Sequence, residues 1–218
     1  MKSSVGRIGS SSCWAKFADS VELDIEGKYN IIYADPPWLF RDWSGRTHNK
    51  VDAANNSRNR RPPYRCMTTE QICSLPVERI SAPDCVLFLW CINPLLPDAF
   101  EVIQAWGFTY KTVGFVWVKT NPSGRGFLFG LGYWTRSNPE LCLLATHGHP
   151  RRISRSVSNL VVTARSVHSR KPDDVRNRIV ELCGNVPRIE LFARENADGW
   201  SAWGDEVGLL VSSEPNVA

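Results

Sequence analysis

The stretch Tyr29-Asn30-Ile31-Ile32-Tyr33-Ala34-Asp35-Pro36-Pro37-Trp38 decides the fold. Its first six residues form a mostly apolar, strand-prone run of the length expected for a buried strand. Two consecutive prolines then end it, because neither can donate to a ladder. Asp35 is therefore expected where a strand stops, on a stiff loop at the carboxyl edge of a sheet. In open α/β sheets that edge is where ligands bind. Taken alone, Asp35 to Trp38 also reads simply as a Pro-Pro turn capped by an aspartate.

Downstream, strand and helix signals alternate. Thr68-x-x-Gln71 has the form of a capping box opening a short helix that ends before Pro76. Cys85 to Cys91 is a continuous apolar run and predicts a central strand. Asn93 is suited to cap the next helix, with Pro94 and Pro97 in its first turn, Gly107 at its end, and Phe100, Ile103 and Trp106 on its core face. Phe108 to Lys119, Leu141 to Thr146, Leu160 to Thr163 and Arg188 to Phe192 predict further strands. Pro172, Asp173 and Asp174 open an amphipathic helix with Val175, Ile179 and Leu182 on one stripe, closed by Gly184. This alternation implies an α/β fold with a mostly parallel sheet covered on both sides.

The 218 residues, 43% of them hydrophobic, suffice for one substantial core, so a single domain over 1–218 is expected. Within it, 1–12 reads as a frayed end, 39–66 and 120–138 as loops serving a site, and 207–218 as a tail. The first twelve residues lack the apolar core of an export signal, and no run approaches a membrane span. Seven cysteines without CxxC spacing read as reduced core residues rather than disulfides or zinc ligands. Together these features predict a soluble cytoplasmic protein with no membrane partner and no required metal.

The net charge of +4 is unevenly spread. Residues 41–65 carry a balance of +5 and residues 147–178 a balance of +6, leaving −7 on the rest. Two loop-rich basic segments are the footprint of a polyanion-binding face, although arginines also decorate solvated loops. The segment 121–138 carries Gly124, Gly126, Gly130 and Gly132 among Phe127, Phe129, Tyr133 and Trp134. It reads either as an aromatic loop over a nucleotide or as a glycine-rich hairpin connection.

The tetrapeptide suits one chemical problem, making an exocyclic amino group attack an electrophile. The N6 lone pair of adenine is delocalised into the ring, so acceptors must take up its hydrogens as the nitrogen pyramidalises and gains positive charge. Asp35 and the Pro36 carbonyl are candidates for that work, Pro37 stiffens the loop, and Trp38 offers a flat face to a flipped base.

In its ordered motifs the chain resembles the adenine-N6 methyltransferases bearing the Asp-Pro-Pro-Trp motif. That family includes the catalytic subunit of the eukaryotic messenger-RNA adenine methyltransferase and bacterial and phage DNA adenine methyltransferases. The resemblance runs from about Gly27 to Glu206 and rests on Tyr64-x-x-Met67-x-x-Glu70, Leu87-Phe88-Leu89-Trp90, Trp117-x-Lys119-Thr120-Asn121 and Glu140-x-Cys142-Leu143. It continues through His168-Ser169-Arg170-Lys171-Pro172, Glu190-Leu191-Phe192-Ala193-Arg194 and Trp203-Gly204-Asp205-Glu206.

The resemblance implies a Rossmann-like, S-adenosylmethionine-dependent methyltransferase sheet with permuted, beta-class motif order. Asp35, Pro36, Pro37 and Trp38 would be catalytic, and Asp35, Pro37, His147, Phe192, Arg194, Asn196, Asp205 and Glu206 would meet S-adenosylmethionine. Trp38, Tyr64, Lys119, Arg58, Arg60 and Arg61 would contact substrate. Lys119 would touch phosphate or cofactor, or be only a strand-end lysine, while Ser169 or Lys171 would chiefly shape a connection, a phosphate contact being the lesser alternative. The implied reaction is direct in-line methylation of N6 on a flipped adenine. The compactness of the chain favours DNA over RNA, the alternatives being an RNA enzyme or a non-catalytic nucleic-acid-binding subunit. A homodimer or a separate recognition partner is compatible with this reading, as is a bacterial or phage source.

Overall fold

The strands β1 (Tyr29–Ala34), β2 (Ser81–Cys91), β3 (Thr109–Thr120), β4 (Glu140–His147), β5 (Leu160–Ala164), β6 (Arg188–Leu191) and β7 (Ser201–Trp203) form one sheet. Their order is β5-β3-β4-β2-β1-β6-β7. This is a computed structural model and describes residues 23, 25–40, 66–130, 132, 134–164, 170–204 and 207. Arg58, Arg60, Arg61, Tyr64, Tyr133, His168, Ser169, Asp205 and Glu206 lie outside the described residues, as do 1–12 and 208–218.

β1 pairs in parallel with β2 on one side and β6 on the other, with Ala34 level with Leu89 and Leu191. β1 and β6 thus end together beside Asp35, and β2 runs two residues further. β3, β5 and β7 share their direction, and β4 alone is reversed, antiparallel to both β2 and β3. The sheet is therefore mostly parallel, as the alternation predicts, with β4 as its reversed strand. The cause is local: β3 and β4 are sheet neighbours joined over the same edge, a connection that requires opposite directions.

Alternation along β1 sends Ile32 and Ala34 to one face and Ile31 and Tyr33 to the other. The first face packs against α1 (Thr69–Cys73) and α2 (Leu96–Ala105) through Ile72, Ala99, Val102, Ile103 and Trp106. The second packs against α3 (Asp174–Cys183) through Val175, Ile179 and Cys183. Both faces are covered, as expected of strands this apolar. No helix among the described residues is long and apolar enough to cross a membrane.

The Thr68 capping box forms in full: Thr68 Oγ1 accepts from Gln71 N at 3.3 Å, and Thr68 N donates to Gln71 Oε1 at 2.9 Å. Two other local expectations fail. Asn93 does not cap α2, since its side-chain amide donates to the Pro139 carbonyl at 3.3 Å and the cap position falls on Leu95 after a short 3-10 turn. Phe100 is exposed and stacks edge-on against Tyr110, while Ala99, Val102, Ile103 and Trp106, spaced i, i+3, i+4 and i+7, face the core.

The connection 121–139 leaves β3 and returns to β4 as a hairpin, with Leu128 N donating to Lys119 O at 2.9 Å and Gly130 N to Ser137 O at 2.8 Å. Phe127, Phe129 and Trp134 stand exposed on it. Its base is held by Asn138, whose Oδ1 accepts from Lys119 N at 3.0 Å and whose Nδ2 donates to Lys119 O at 2.8 Å and also to Leu128 O. Asn138 is buried, so Asn138→Leu strands backbone groups that water cannot reach. The variant should lose roughly 1–3 kcal/mol of stability, read as a lower urea midpoint with an unchanged slope.

Candidate active site

Asp35 N donates to Leu191 O at 3.4 Å, and there the β1 ladder ends because Pro36 and Pro37 have no N–H. The chain then folds back tightly, with Trp38 N donating to Pro36 O at 2.8 Å. Two bonds to Met67 fix the other side, Met67 N to Pro37 O and Leu39 N to Met67 O, both 2.8 Å. The Trp38 indole is buried and donates Nε1–H to the Trp90 carbonyl at 3.0 Å. Trp38 thus anchors the tetrapeptide in the core, which corrects its expected role as an open stacking face. The Pro36 carbonyl keeps one lone pair beyond the bond to Trp38.

Around Asp35 four side chains of alternating charge form a chain. Lys171 Nζ donates to both oxygens of Asp35, at 2.7 and 2.8 Å. The same ammonium lies 3.2 Å from Glu140 Oε2, while Glu140 Oε1 is bonded to Lys119 Nζ. All four side chains are less than a fifth exposed. The two cations also lie over indole rings, Lys171 above Trp90 at 5.4 Å and Lys119 above Trp117 at 5.1 Å. Burial alone would drive the Glu140 carboxyl up, yet Lys171 and Lys119 hold it below its ordinary value. Burial would likewise lower the Lys171 ammonium, and Asp35 and Glu140 hold it above its ordinary value.

Elements explain who arrives. Asp35 follows β1, Lys119 ends β3 and Lys171 precedes α3, so three of the four come to the carboxyl edge in the usual way. Glu140 reaches that edge because it begins the reversed strand. The same reversal removes His147, which ends β4 opposite Cys85, four residues before the Leu89 level of Ala34. That is roughly 13 Å back along the sheet. There the His147 ring lies 3.0 Å by Nδ1 from the Gly107 carbonyl and edge-on to Phe108. His147 is on the opposite edge from Asp35, which corrects its expected place beside the cofactor.

A second cluster joins α3 to β6. Arg176 grips the buried Glu190 with Nε at 2.6 Å and Nη2 at 3.2 Å, and also meets Asp173 at 2.7 Å. Arg170 binds Asp173 at 2.7 Å and Glu195 at 2.6 Å. Burial pushes the Glu190 carboxyl above its ordinary range despite Arg176. Phe192, the first residue past β6, has φ 61 and packs edge-on against Trp203 with centroids 5.4 Å apart. Gly204 is required there, because a Cβ would collide with the Ala193 backbone, whose N–H donates to Trp203 O at 2.9 Å.

One pocket is lined by Tyr33, Asp35, Lys171, Glu190, Phe192, Arg194 and their ionic neighbours. Asp35, Phe192 and Arg194 are thus brought together. Asn196 is exposed and does not line this pocket, and neither do Pro37, Trp38 or Lys119. Among the described residues no group of three or more His, Cys, Asp or Glu is placed to hold a metal. The pocket mixes ammonium, guanidinium and carboxylate groups with an aromatic ring, side chains of the types that meet a carboxylate, hydroxyls and a flat base.

The described residues of the second basic segment do not form one face beside this site. Arg170, Arg176 and Arg178 are ion-paired within the molecule. Arg151, Arg152 and Arg155 are exposed around Ile153, whose N–H caps the far end of α3 at Leu182 O, at the edge away from Asp35. Glu140 is the site residue that sequence reasoning left unassigned, the direction of β4 being the missing signal, and Lys171, expected chiefly to shape a connection, holds Asp35 instead.

The chain is similar to known methyltransferases. The model of the family described as MT-A70 matches residues 29–206. The type II methyltransferase M.MunI of Mycoplasma sp is 34% identical over 194 residues, covering 83% of this chain and 78% of that protein. The N(6)-adenosine-methyltransferase MT-A70-like of Arabidopsis thaliana is 30% identical over 86% of the chain but only 25% of its own length. The N(6)-adenosine-methyltransferase catalytic subunit METTL3 of Homo sapiens is 27% identical over 90% of the chain and 31% of its own length. The chain thus spans a third or less of these two eukaryotic relatives. With the seven-stranded mixed sheet, the ordered motifs and a family match over most of its length, the chain belongs to the MT-A70 family of methyltransferases and has its Rossmann-like fold.

Proposed function

We propose that the chain transfers a methyl group from S-adenosylmethionine to N6 of adenine in DNA. The observation that carries this reading is the Asp35 carboxylate, fixed by Lys171 on both oxygens, in one pocket with Phe192 and Arg194. S-adenosylmethionine supplies an electrophilic methyl group when bound. Phe192 would pack against its base, and Arg194 would answer its carboxylate or shape the loop that does. Asp205 and Glu206 remain proposed contacts to its ribose, and Asn196 and Pro37 stay in the proposed set as neighbours of the loop and the tetrapeptide.

The acceptor side rests on stiffness. A carboxylate held by an ammonium on both oxygens cannot swing, so Asp35 meets an incoming amino group in one orientation. As the nitrogen takes up the methyl group and gains positive charge, Asp35 and the free lone pair of the Pro36 carbonyl accept hydrogen bonds from its two hydrogens, one of which then leaves as a proton to solvent, and the water-poor surroundings strengthen both bonds. Asp35 acts as a placed acceptor in this scheme. The nucleic-acid contacts proposed for Tyr64, Arg58, Arg60 and Arg61 would close the other side, joined by the exposed Phe127, Phe129 and Trp134 at the same edge. DNA is favoured over RNA by the relation to the compact M.MunI, most of whose length the chain matches. A homodimer or a separate recognition partner is compatible with this reading.

Asp35→Ala should abolish methyl transfer while S-adenosylmethionine binding stays measurable by calorimetry; near-normal turnover would remove Asp35 from its role. Transfer assayed side by side on duplex DNA, single-stranded DNA and RNA should favour DNA, and a preference for RNA reverses the substrate assignment.

The charge chain also sets a pH window. Glu140, held low, contributes stability that is present above its unfolded value of about 4.3 and lost as pH falls through its lower folded value. Lys171, held high, contributes below its unfolded value of about 10.4 and loses that contribution as pH rises through its folded value. Glu190 works in the opposite sense to Glu140, its burial penalty being relieved on acidification. Circular dichroism from pH 7 down to about 3 should show a shallower acid loss of stability in Glu140→Gln than in the parent protein.

A further inference from the structure

Lys171 sits between two carboxylates, and its distances show which one holds it: 2.7 and 2.8 Å to Asp35 against 3.2 Å to Glu140. Both acids belong to the same mostly buried site, so their difference must come from what else each one touches. Asp35 has Lys171 on both oxygens, whereas Glu140 has a second cation, Lys119, on Oε1. An ammonium between two carboxylates settles nearer the one whose charge is less offset by other cations, because a second cation beside one acid cancels part of that acid's pull on the first. Satisfying one acid from elsewhere releases the shared cation to the other.

We propose that Lys119 is a positioning residue for methyl transfer, which neutralises Glu140 and thereby commits Lys171 to Asp35. This rests on the methyl-transfer reading of the site. Lys119 is well fixed for the task. Its backbone N–H and C=O are both held by Asn138, its ammonium lies over Trp117, and its side chain is only 17% exposed. Those features set it apart from a surface lysine free to reach a phosphate, and it does not line the pocket around Asp35. The other titratable groups facing Glu140 are Lys171 from the connection into α3 and Cys91 from β2, with Asp35 beyond Lys171. Cys91 stays a neutral thiol, pushed up to about 12 by burial and then by Glu140 itself, so it cannot replace Lys119.

The test uses Lys119→Met, Lys119→Arg and the double variant Lys119→Met/Glu140→Gln in the full chain. Carbon-13 NMR titration of the Glu140 carboxylate and crystal structures read the geometry directly. Steady-state kinetics on an adenine-containing DNA duplex with saturating S-adenosylmethionine read its consequence. In Lys119→Met, Glu140 should titrate at higher pH and Lys171 Nζ should move from Asp35 toward Glu140. With that shift kcat should fall about tenfold or more while KM for the duplex changes less than about twofold. Lys119→Arg should restore most of the rate. The double variant, which leaves no acid to compete for Lys171 and buries no unpaired charge, should return Lys171 to Asp35 and recover most of the loss. It also serves as the folding control for the single variant.

A raised KM with unchanged kcat would overturn the proposal in favour of a phosphate contact. An unmoved Lys171 in Lys119→Met, or a double variant no better than the single one, would overturn it as well. If the parent protein transfers no methyl to any nucleic acid, the methyl-transfer reading fails by itself, and the titration and structures still decide whether Lys119 directs Lys171.

Discussion

Lys171 reaches from the start of α3 across the end of β1 to hold both oxygens of Asp35, and most of the site follows from what that contact demands. A buried ammonium on a single carboxylate would carry a large desolvation cost with little redundancy. Here the cost is spread along an alternating row, Lys119, Glu140, Lys171 and Asp35, in which each inner member has an opposite charge on both sides. The row needs contributions from β3, β4, the entry to α3 and the exit from β1, so it forms only when those four pieces of backbone reach the same edge. Folding and site assembly are thereby one event.

The second charge cluster serves the neighbouring loop in a similar way. Arg170 and Arg176 share Asp173 and reach Glu195, tying the turn after β6 to the first turn of α3. Lys171 lies between those arginines in sequence, so the same short segment faces both the tetrapeptide and the Phe192 turn. The two halves of the pocket are therefore referenced to a common piece of chain, which suits a reaction in which donor and acceptor must meet within a fraction of an ångström.

Much of this was legible in the sequence, and the exceptions have a common physical origin. Runs such as Ile31 to Ala34 and Cys85 to Cys91 announce buried strands because their apolar character comes from the residues themselves, and the Thr68 capping box is equally local. The direction of β4 is not a local property. Leu141 to Thr146 reads identically whichever way it runs, yet its direction decides whether Glu140 or His147 faces the site. Long-range partners were hidden for the same reason: nothing near Lys171 announces an acid 136 positions earlier. Trp38 was misjudged because a motif shows which residues are present and not which way they point. The indole turned inward to the Trp90 carbonyl.

The placement of the aromatic hairpin has a consequence for how such an enzyme can diversify. Its two strands lock each other's register from Thr109 to Trp117 on one side and Glu140 to Thr146 on the other, and Asn138 clamps its base to Lys119. Residues between the clamp points can change in number with only a slow growth in closure entropy, while the charges below stay in register. The tip carrying Phe127, Phe129 and Trp134 is thus mechanically decoupled from the row of charges at its root. The tip can drift in length and side chains while the row of charges keeps its register.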